Sequence, residues 1–211
     1  FALLLLACKG DVNAVSEESI IKGELTLMVD ENIAGILEEQ KEIFESSYQA
    51  KINMIAKSEA EVINNLLQDS VAVVATTVTL TDNQLSHFEN KKIKGKITVL
   101  GFDAIVLISN KAAMDSIVDY NEIQNLFDKK NTTIKGMVFS NPNTSNLSFL
   151  SNKFNADIKN NTKIFSLDNQ ISVLEYISKN PGYIGAISLY DYLHTSAKDQ
   201  VYKENIQRLN V

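Results

Sequence analysis

Apolar residues along this chain fall into two alternating rhythms, short runs that suit strands and three-or-four-residue spacings that suit helices. Residues 24–29 read as a strand. Residues 32–48 follow as a helix with Ile33, Ile36, Leu37, Gln40, Ile43 and Phe44 along one side, capped by Asp30 or Asn32. A strand over 51–56 leads into Ser58-Glu59-Ala60-Glu61, the reciprocal capping pattern of a helix that carries Val62, Ile63, Leu66 and Leu67. The apolar run 71–75 predicts a buried parallel strand, and Thr81-Asp82 opens a helix to about residue 90. Two strand-like runs, 97–100 and 104–108, are separated only by Gly101-Phe102-Asp103, so one extended segment can cross from one body to another. The second half repeats the alternation, with strands over 133–139, 163–167 and 183–187, helices over 120–127, 145–154 and 169–179, and a helical turn over 189–193. Such spacing predicts an α/β protein of two lobes, each a mixed, mainly parallel sheet flanked by helices. Lobe 1 is expected over 22–101, with the strand-like run 206–211 returning to it, and lobe 2 over 102–205.

The first 21 residues do not share that rhythm. Residues 1–7 are wholly apolar, far short of the roughly 20 needed to cross a bilayer. Leu5-Leu6-Ala7-Cys8 has the form of a bacterial lipobox, in which a small residue precedes a cysteine that becomes acylated. Residues 1–8 therefore read as a signal-peptide remnant whose beginning is missing, and 9–21 as a polar tether. Cys8 is the expected lipidation site, placing the protein in the cell envelope, outside the cytoplasm and anchored to the membrane. As the single cysteine it leaves no disulfide framework and no free thiol.

A chain with 45% hydrophobic and 22% charged residues and a net charge of −6 can bury a core but offers no basic footprint to nucleic acid. His87 and His194 lie too far apart for metal-ligand spacing and are expected at the surface or at helix ends, so neither metal nor cofactor is expected. Nucleophile-elbow, phosphate-loop and His-Glu-x-x-His patterns are all missing from the sequence, and no enzymatic activity is expected. Lys91-Lys92-Ile93-Lys94-Gly95-Lys96 reads as a solvated basic loop that could meet a permease, and the Asn-rich stretch 155–162 as an exposed turn. Tyr183, Tyr190 and Tyr192 read as packing residues rather than a stacking platform.

Several segments in order resemble one family. They are Gly23-Glu24-Leu25-Thr26-Leu27-Met28-Val29-Asp30-Glu31, the run from Leu66 through Val71-Ala72-Val73-Val74-Ala75-Thr76-Thr77 to Leu80-Thr81-Asp82, the crossover Gly101-Phe102-Asp103-Ala104-Ile105-Val106-Leu107-Ile108-Ser109-Asn110, and Asn180-Pro181-Gly182-Tyr183-Ile184-Gly185-Ala186-Ile187. Over residues 20–195 the chain resembles the phosphate-binding subunits of bacterial ABC importers. The resemblance implies a two-lobed type II periplasmic binding protein fold whose first lobe is left incomplete at the C-terminus, with Phe102 and Asp103 at the hinge. It implies a monomer that captures a small oxyanion, most readily phosphate, between the lobes for delivery to an importer permease.

Anion chemistry then belongs where strands feed helix N-termini, whose unpaired N–H groups face the cleft. Candidate ligand-binding residues are Asp30, Glu31 and Asn32 at the first junction, Thr76 and Thr77 at the second, and Thr144, Ser145 and Asn146 at the third, which matches the family's anion loop. Each has a structural alternative, since Ser, Thr, Asn and Asp also cap helices and Thr pairs occur in turns. The family's Arg beyond the anion loop falls on Ser148, a second basic position on Val78 and a proton-accepting Asp near Ala72; Arg208 is the sole Arg. Loss of a buried Arg–phosphate pair predicts an affinity lower by about 30-fold to several thousand-fold. Two further readings follow: a cleft for an amine-bearing solute, suggested by Asp30 and Glu31, and a non-transporting envelope sensor or scaffold.

Overall fold

A computed structural model describes residue 19 and residues 21–112 and 115–211. Cys8, the apolar run before it and most of the tether lie outside the described residues. Lobe 1 contains β1 (Lys22–Asp30), α1 (Ala34–Ser47), β2 (Gln49–Lys57), α2 (Glu59–Leu67), β3 (Val73–Ala75) and α3 (Asp82–Asn90). Its sheet has the order β2-β1-β3. β1 pairs in parallel with β2 from Lys22 opposite Gln49 to Asp30 opposite Lys57, and with β3 from Leu27 opposite Val73 to Val29 opposite Ala75. Parallel pairing forces a helix into each crossover, and that is what sets the N-termini of α1 and α2 at the C-terminal edge of the sheet.

Lobe 2 contains β4 (Ile105–Asn110), α4 (Tyr120–Phe127), β5 (Gly136–Phe139), α5 (Ser145–Lys153), β6 (Ile164–Ser166), α6 (Gln170–Lys179), β7 (Tyr183–Ser188), α7 (Leu189–Leu193), α8 (Gln200–Lys203) and β8 (Ile206–Arg208). The strand order is β6-β5-β7-β4-β8, with β5 parallel to β6 and β7, and β4 antiparallel to β7 and β8. Alternate residues of its strands feed two cores. Met137, Phe139, Ile184, Ala186 and Leu107 join Ile123, Leu126 and Phe127 of α4 and Leu147 and Leu150 of α5. Val138, Ile187 and Ile108 join Val173, Leu174 and Ile177 of α6. Gly185 has to be glycine for that second packing, because a Cβ there would lie 2.8–3.0 Å from Val173, Ile108 and Ile177. Asn110, at the end of β4, donates through Nδ2 to the last carbonyls of α6, Ile177 O and Ser178 O.

Four expectations need correction. The run 71–75 is not a buried strand: β3 is three residues at the sheet edge and Val73 is 40% exposed, because β3 pairs on one side only, with Val71 packed under Met28 and Val62. Residues 97–100 form no strand. No described strand runs beside them, and Ile97, Val99, Leu100 and Phe102 are 65%, 73%, 73% and 99% exposed. Residues 206–208 do not return to lobe 1 but form β8 against β4, held by burial of Ile206 and Leu209 in the two lobe 2 cores. The Asn-rich stretch is only partly an exposed turn, since Asn161 is buried, donating to Leu126 O at 2.8 Å and accepting from Lys163 N. Both histidines sit at helix ends, with His87 Nε2 against Leu67 O and His194 Nδ1 against Tyr190 O. Among the described residues no helix is long and apolar enough to cross a membrane.

Candidate functional site

Five strand-to-helix junctions meet across the gap between the sheets, those after β1, β2 and β3 from lobe 1 and those after β5 and β6 from lobe 2. After β1 the chain turns on Asp30, whose Oδ1 accepts from Asn32 N–H at 3.0 Å. That turn delivers Ile33 as the residue before α1, with no side-chain cap, so neither Asp30 nor Asn32 caps this helix as expected. Freed from capping, the fully buried Asp30 accepts from Thr77 Oγ1 at 2.7 Å through its other oxygen. Asn32 reaches into lobe 2. Its Nδ2 donates to Thr144 Oγ1 at 3.0 Å and Ser145 Oγ at 2.5 Å, with Asp30 Oδ1 3.3 Å away, and its Oδ1 accepts from Gln170 Nε2 at 2.8 Å and Asn146 Nδ2 at 3.5 Å.

Thr144 stands at the N-terminal boundary of α5 yet makes no side-chain capping bond; its hydroxyl is committed across the lobes instead. Thr144, Ser145 and Asn146 are all buried. Glu31 also bridges, accepting from Asn141 Nδ2 and, at 3.4 Å, from Ser140 Oγ. Thr76 behaves differently, its hydroxyl accepting from Val78 N–H within a local turn. Of the residues singled out from sequence, Asp30, Glu31, Asn32, Thr77, Thr144, Ser145 and Asn146 are thus brought together, and Thr76 is not joined to them. Phe102 and Asp103 lie in the exposed segment leading into β4, with Asp103 near enough to Asp191 for its charge to act there.

Carboxylates dominate the electrostatics. Burial raises the pKa of Glu31, and the neighbouring charge of Asp30 raises it further. Glu59, the first residue of α2, is only 9% exposed; burial raises its pKa and Asp30 adds to the rise, while the hydroxyls of Ser148 and Thr77 partly offset it. Its Oε2 is buried without a hydrogen-bond partner, as is Oε1 of Gln170. At the edge of the cleft, burial pushes Asp191 up to about 6. The charges acting most on Glu31 are those of Asp30, Asp191 and Glu61, and on Glu59 that of Asp30, with no Lys or Arg among them. A second contact between lobes lies beside these groups, where Tyr190 Oη donates to Glu39 at 2.8 Å and the Tyr190 ring covers Gly35 so closely that a Cβ there would sit 2.3 Å from it.

A model of the PBP superfamily domain matches residues 14–211. The chain belongs to this superfamily. No curated protein matches the sequence. Among solved structures, an ABC-type phosphate transport receptor from Vibrio cholerae is 12% identical, with 89% of this chain and 76% of that chain covered and a TM-score of 0.63. PstS from Borrelia burgdorferi is 16% identical over 90% of this chain and 77% of its own, with a TM-score of 0.53. The OxyR2 E204G regulatory domain from Vibrio vulnificus is 11% identical over 92% and 83%, with a TM-score of 0.64. These likenesses establish the architecture, a type II periplasmic binding protein fold of two α/β lobes.

Within this PBP superfamily chain, Glu59, Ser140, Asn141, Gln170 and the Tyr190–Glu39 contact were not anticipated. Glu59 and Gln170 were within reach of the same rule that pointed to Thr144. Both open a helix directly after a strand, α2 after β2 and α6 after β6, and that rule applied to every junction names them. Ser140 and Asn141 follow β5 and precede Thr144 by a few residues, carrying no signal of their own. At Ser148, where the resemblance places a basic clamp, the cleft has a hydroxyl facing the Glu59 carboxylate.

Proposed function

We propose that this chain is an extracytoplasmic solute-binding protein, held to the membrane by lipid on Cys8, that captures a small polar solute between its lobes for delivery to an ABC importer. The observation that carries the reading is the meeting of Asn32 from lobe 1 with Thr144, Ser145 and Gln170 from lobe 2, which puts strand ends and helix N-termini of both lobes around one point. In this architecture a solute that bridges the lobes replaces their direct contacts. An oxyanion is the ligand class supported by the names of two neighbours, the phosphate transport receptor and PstS, and by the N-terminus of α5, whose N–H groups favour negative charge.

The lining supports a second ligand class. Asp30, Glu31 and Glu59 oppose a dianion, and burial of carboxylates without cations is costly. The OxyR2 regulatory domain supports a separate alternative, in which the fold senses rather than transports. Isothermal titration of the chain with phosphate, sulfate and small amines tests the shared claim. Saturable one-to-one heat with any of these supports capture, and heat with none of them overturns it in favour of a scaffold. Lipidation is checked by mass spectrometry of protein from a bacterial membrane fraction, where an unmodified Cys8 would remove the anchor.

A further inference from the structure

The most informative atom in the cleft is Asn32 Nδ2. One nitrogen is surrounded by three oxygens, Thr144 Oγ1 at 3.0 Å, Ser145 Oγ at 2.5 Å and Asp30 Oδ1 at 3.3 Å. An amide –NH2 has two hydrogens for these three acceptors, whereas an ammonium has three hydrogens and a charge. Glu59 Oε2 and Gln170 Oε1 are buried without a hydrogen-bond partner, although the hydroxyls of Ser148 and Thr77 face the Glu59 carboxylate, so two acceptor atoms here are left over by the protein's own donors. A buried acceptor without a partner costs about 1–3 kcal/mol, more when charged, and the deficit calls for a ligand that donates. Hydroxyls of Thr144 and Ser145 can turn to donate to an oxyanion, but the carboxylates of Asp30 and Glu59 cannot while ionised. Nor do these acids form a metal site, since no group of three or more His, Cys, Asp or Glu among the described residues is placed to hold one.

We propose that the cleft takes a small solute through a protonated amine, its –NH3+ seated where Asn32 Nδ2 now lies, among Asp30, Thr144 and Ser145, with Glu59 as the second counter-charge. Asn32 then acts as an internal stand-in that fills the place between solutes and swings aside on binding. Burial raises the pKa of Glu31 and of Glu59, and a cation seated beside them would oppose that rise. The inference rests on the solute-binding reading and names its ligand class.

The experiment is thermal denaturation of the full chain at neutral pH with ethanolamine, putrescine or inorganic phosphate at matched millimolar concentrations, on wild type, Glu59→Gln, Thr144→Val and Asn32→Ala. Near saturation an amine is expected to raise Tm by about 5–10 °C and phosphate is not. Glu59→Gln and Thr144→Val weaken the amine response on the order of 10- to 100-fold in affinity, and Asn32→Ala, which vacates the nitrogen's place, keeps or strengthens it. Circular dichroism shows which variants fold, and either the Glu59 or the Thr144 variant suffices. A phosphate response without an amine response overturns this inference and leaves solute capture standing. No response to any solute overturns both. An amine response unchanged in the folded Glu59 and Thr144 variants removes the assignment to this site.

Discussion

Asp191 is the third residue of α7, under the N-cap of Ser188, whose Oγ accepts from Asp191 N–H at 3.0 Å and lies 3.1 Å from Asp191 Oδ2. Burial raises its pKa from 3.8 to about 6, Asp103 adds to the rise, and Ser188 and His194 oppose it. The native state therefore holds a proton that the unfolded chain has already lost between pH 4 and 6. Stability from this group is fully present below its unfolded pKa and is lost as pH rises to 6 and beyond. Asp191→Asn keeps the hydrogen bonds but cannot ionise, so it is expected to stabilise the protein at neutral pH by about 1–2 kcal/mol after allowance for solvent screening, and to leave stability at pH 4 unchanged. Chemical denaturation at both pH values checks this; equal effects at pH 4 and pH 7 would rule out the titration. At this scale the sequence was read well where a residue's surroundings are local and poorly where they are not. The clustering of Asp30, Asn32 and Thr144 follows from strand ends and helix starts. The use of Asn32 as a bridge, the choice of Thr144 for bridging rather than capping, and the burial of Glu59 against Ser148 depend on the other lobe, and nothing within a few residues of any of them encodes it.

Helices α1 to α7 were legible to within a residue or two because their starts carry their own chemistry, whereas α8, with no side-chain cap, was not read at all. Thr81 accepts from Gln84 N–H while Gln84 returns a bond to Thr81 N–H, Asp119 caps α4 and Asn169 caps α6. Strands were legible only where a neighbour existed. The apolar run 97–100 is as strand-like as that of β4, yet no described strand runs beside it, and β3 shortens to three residues for want of a second neighbour. The helix start of α2 does two jobs. Ser58 gives its N–H and hydroxyl to Glu61 at 3.3 and 2.7 Å, and the same turn aims Glu59 at the cleft. Replacement of Ser58 by Ala is expected to cost about 1 kcal/mol in urea unfolding. A change below a few tenths of a kcal/mol would mean that packing of Val62 and Ile63, rather than the capping pair, fixes this end of the helix.

The two lobes are unequal bodies. Among the described residues, lobe 2 has an apolar core on each face of a five-stranded sheet, with thirteen and seven buried residues, while the core cluster of lobe 1 has three, Met28, Val62 and Val71. At about 25 cal/mol per Å2 of buried apolar surface, so small a core does not hold a three-stranded sheet against its own chain entropy. Lobe 1 therefore draws stability from lobe 2, through the buried contacts of Asn32, the Glu31 bridge to Ser140 and Asn141, and the Tyr190 ring laid over Gly35. Hydrogen exchange gives this a measurable form, since amides of β2 should open at much lower free energy than those of β7 and α6, which sit in the larger core. Asn32→Ala removes the densest part of the contact and leaves buried partners unmatched, so it should lower the opening free energy of β2 by roughly 2 kcal/mol while β7 changes little. Equal protection of β2 and β7 in the wild type, or an equal loss in both on Asn32→Ala, would show a single cooperative unit and contradict this division. An unequal loss would mean that the weaker lobe is kept folded by the bonds that, on the solute-binding proposal, a ligand would displace, so that capture would exchange internal stability for contact with the guest.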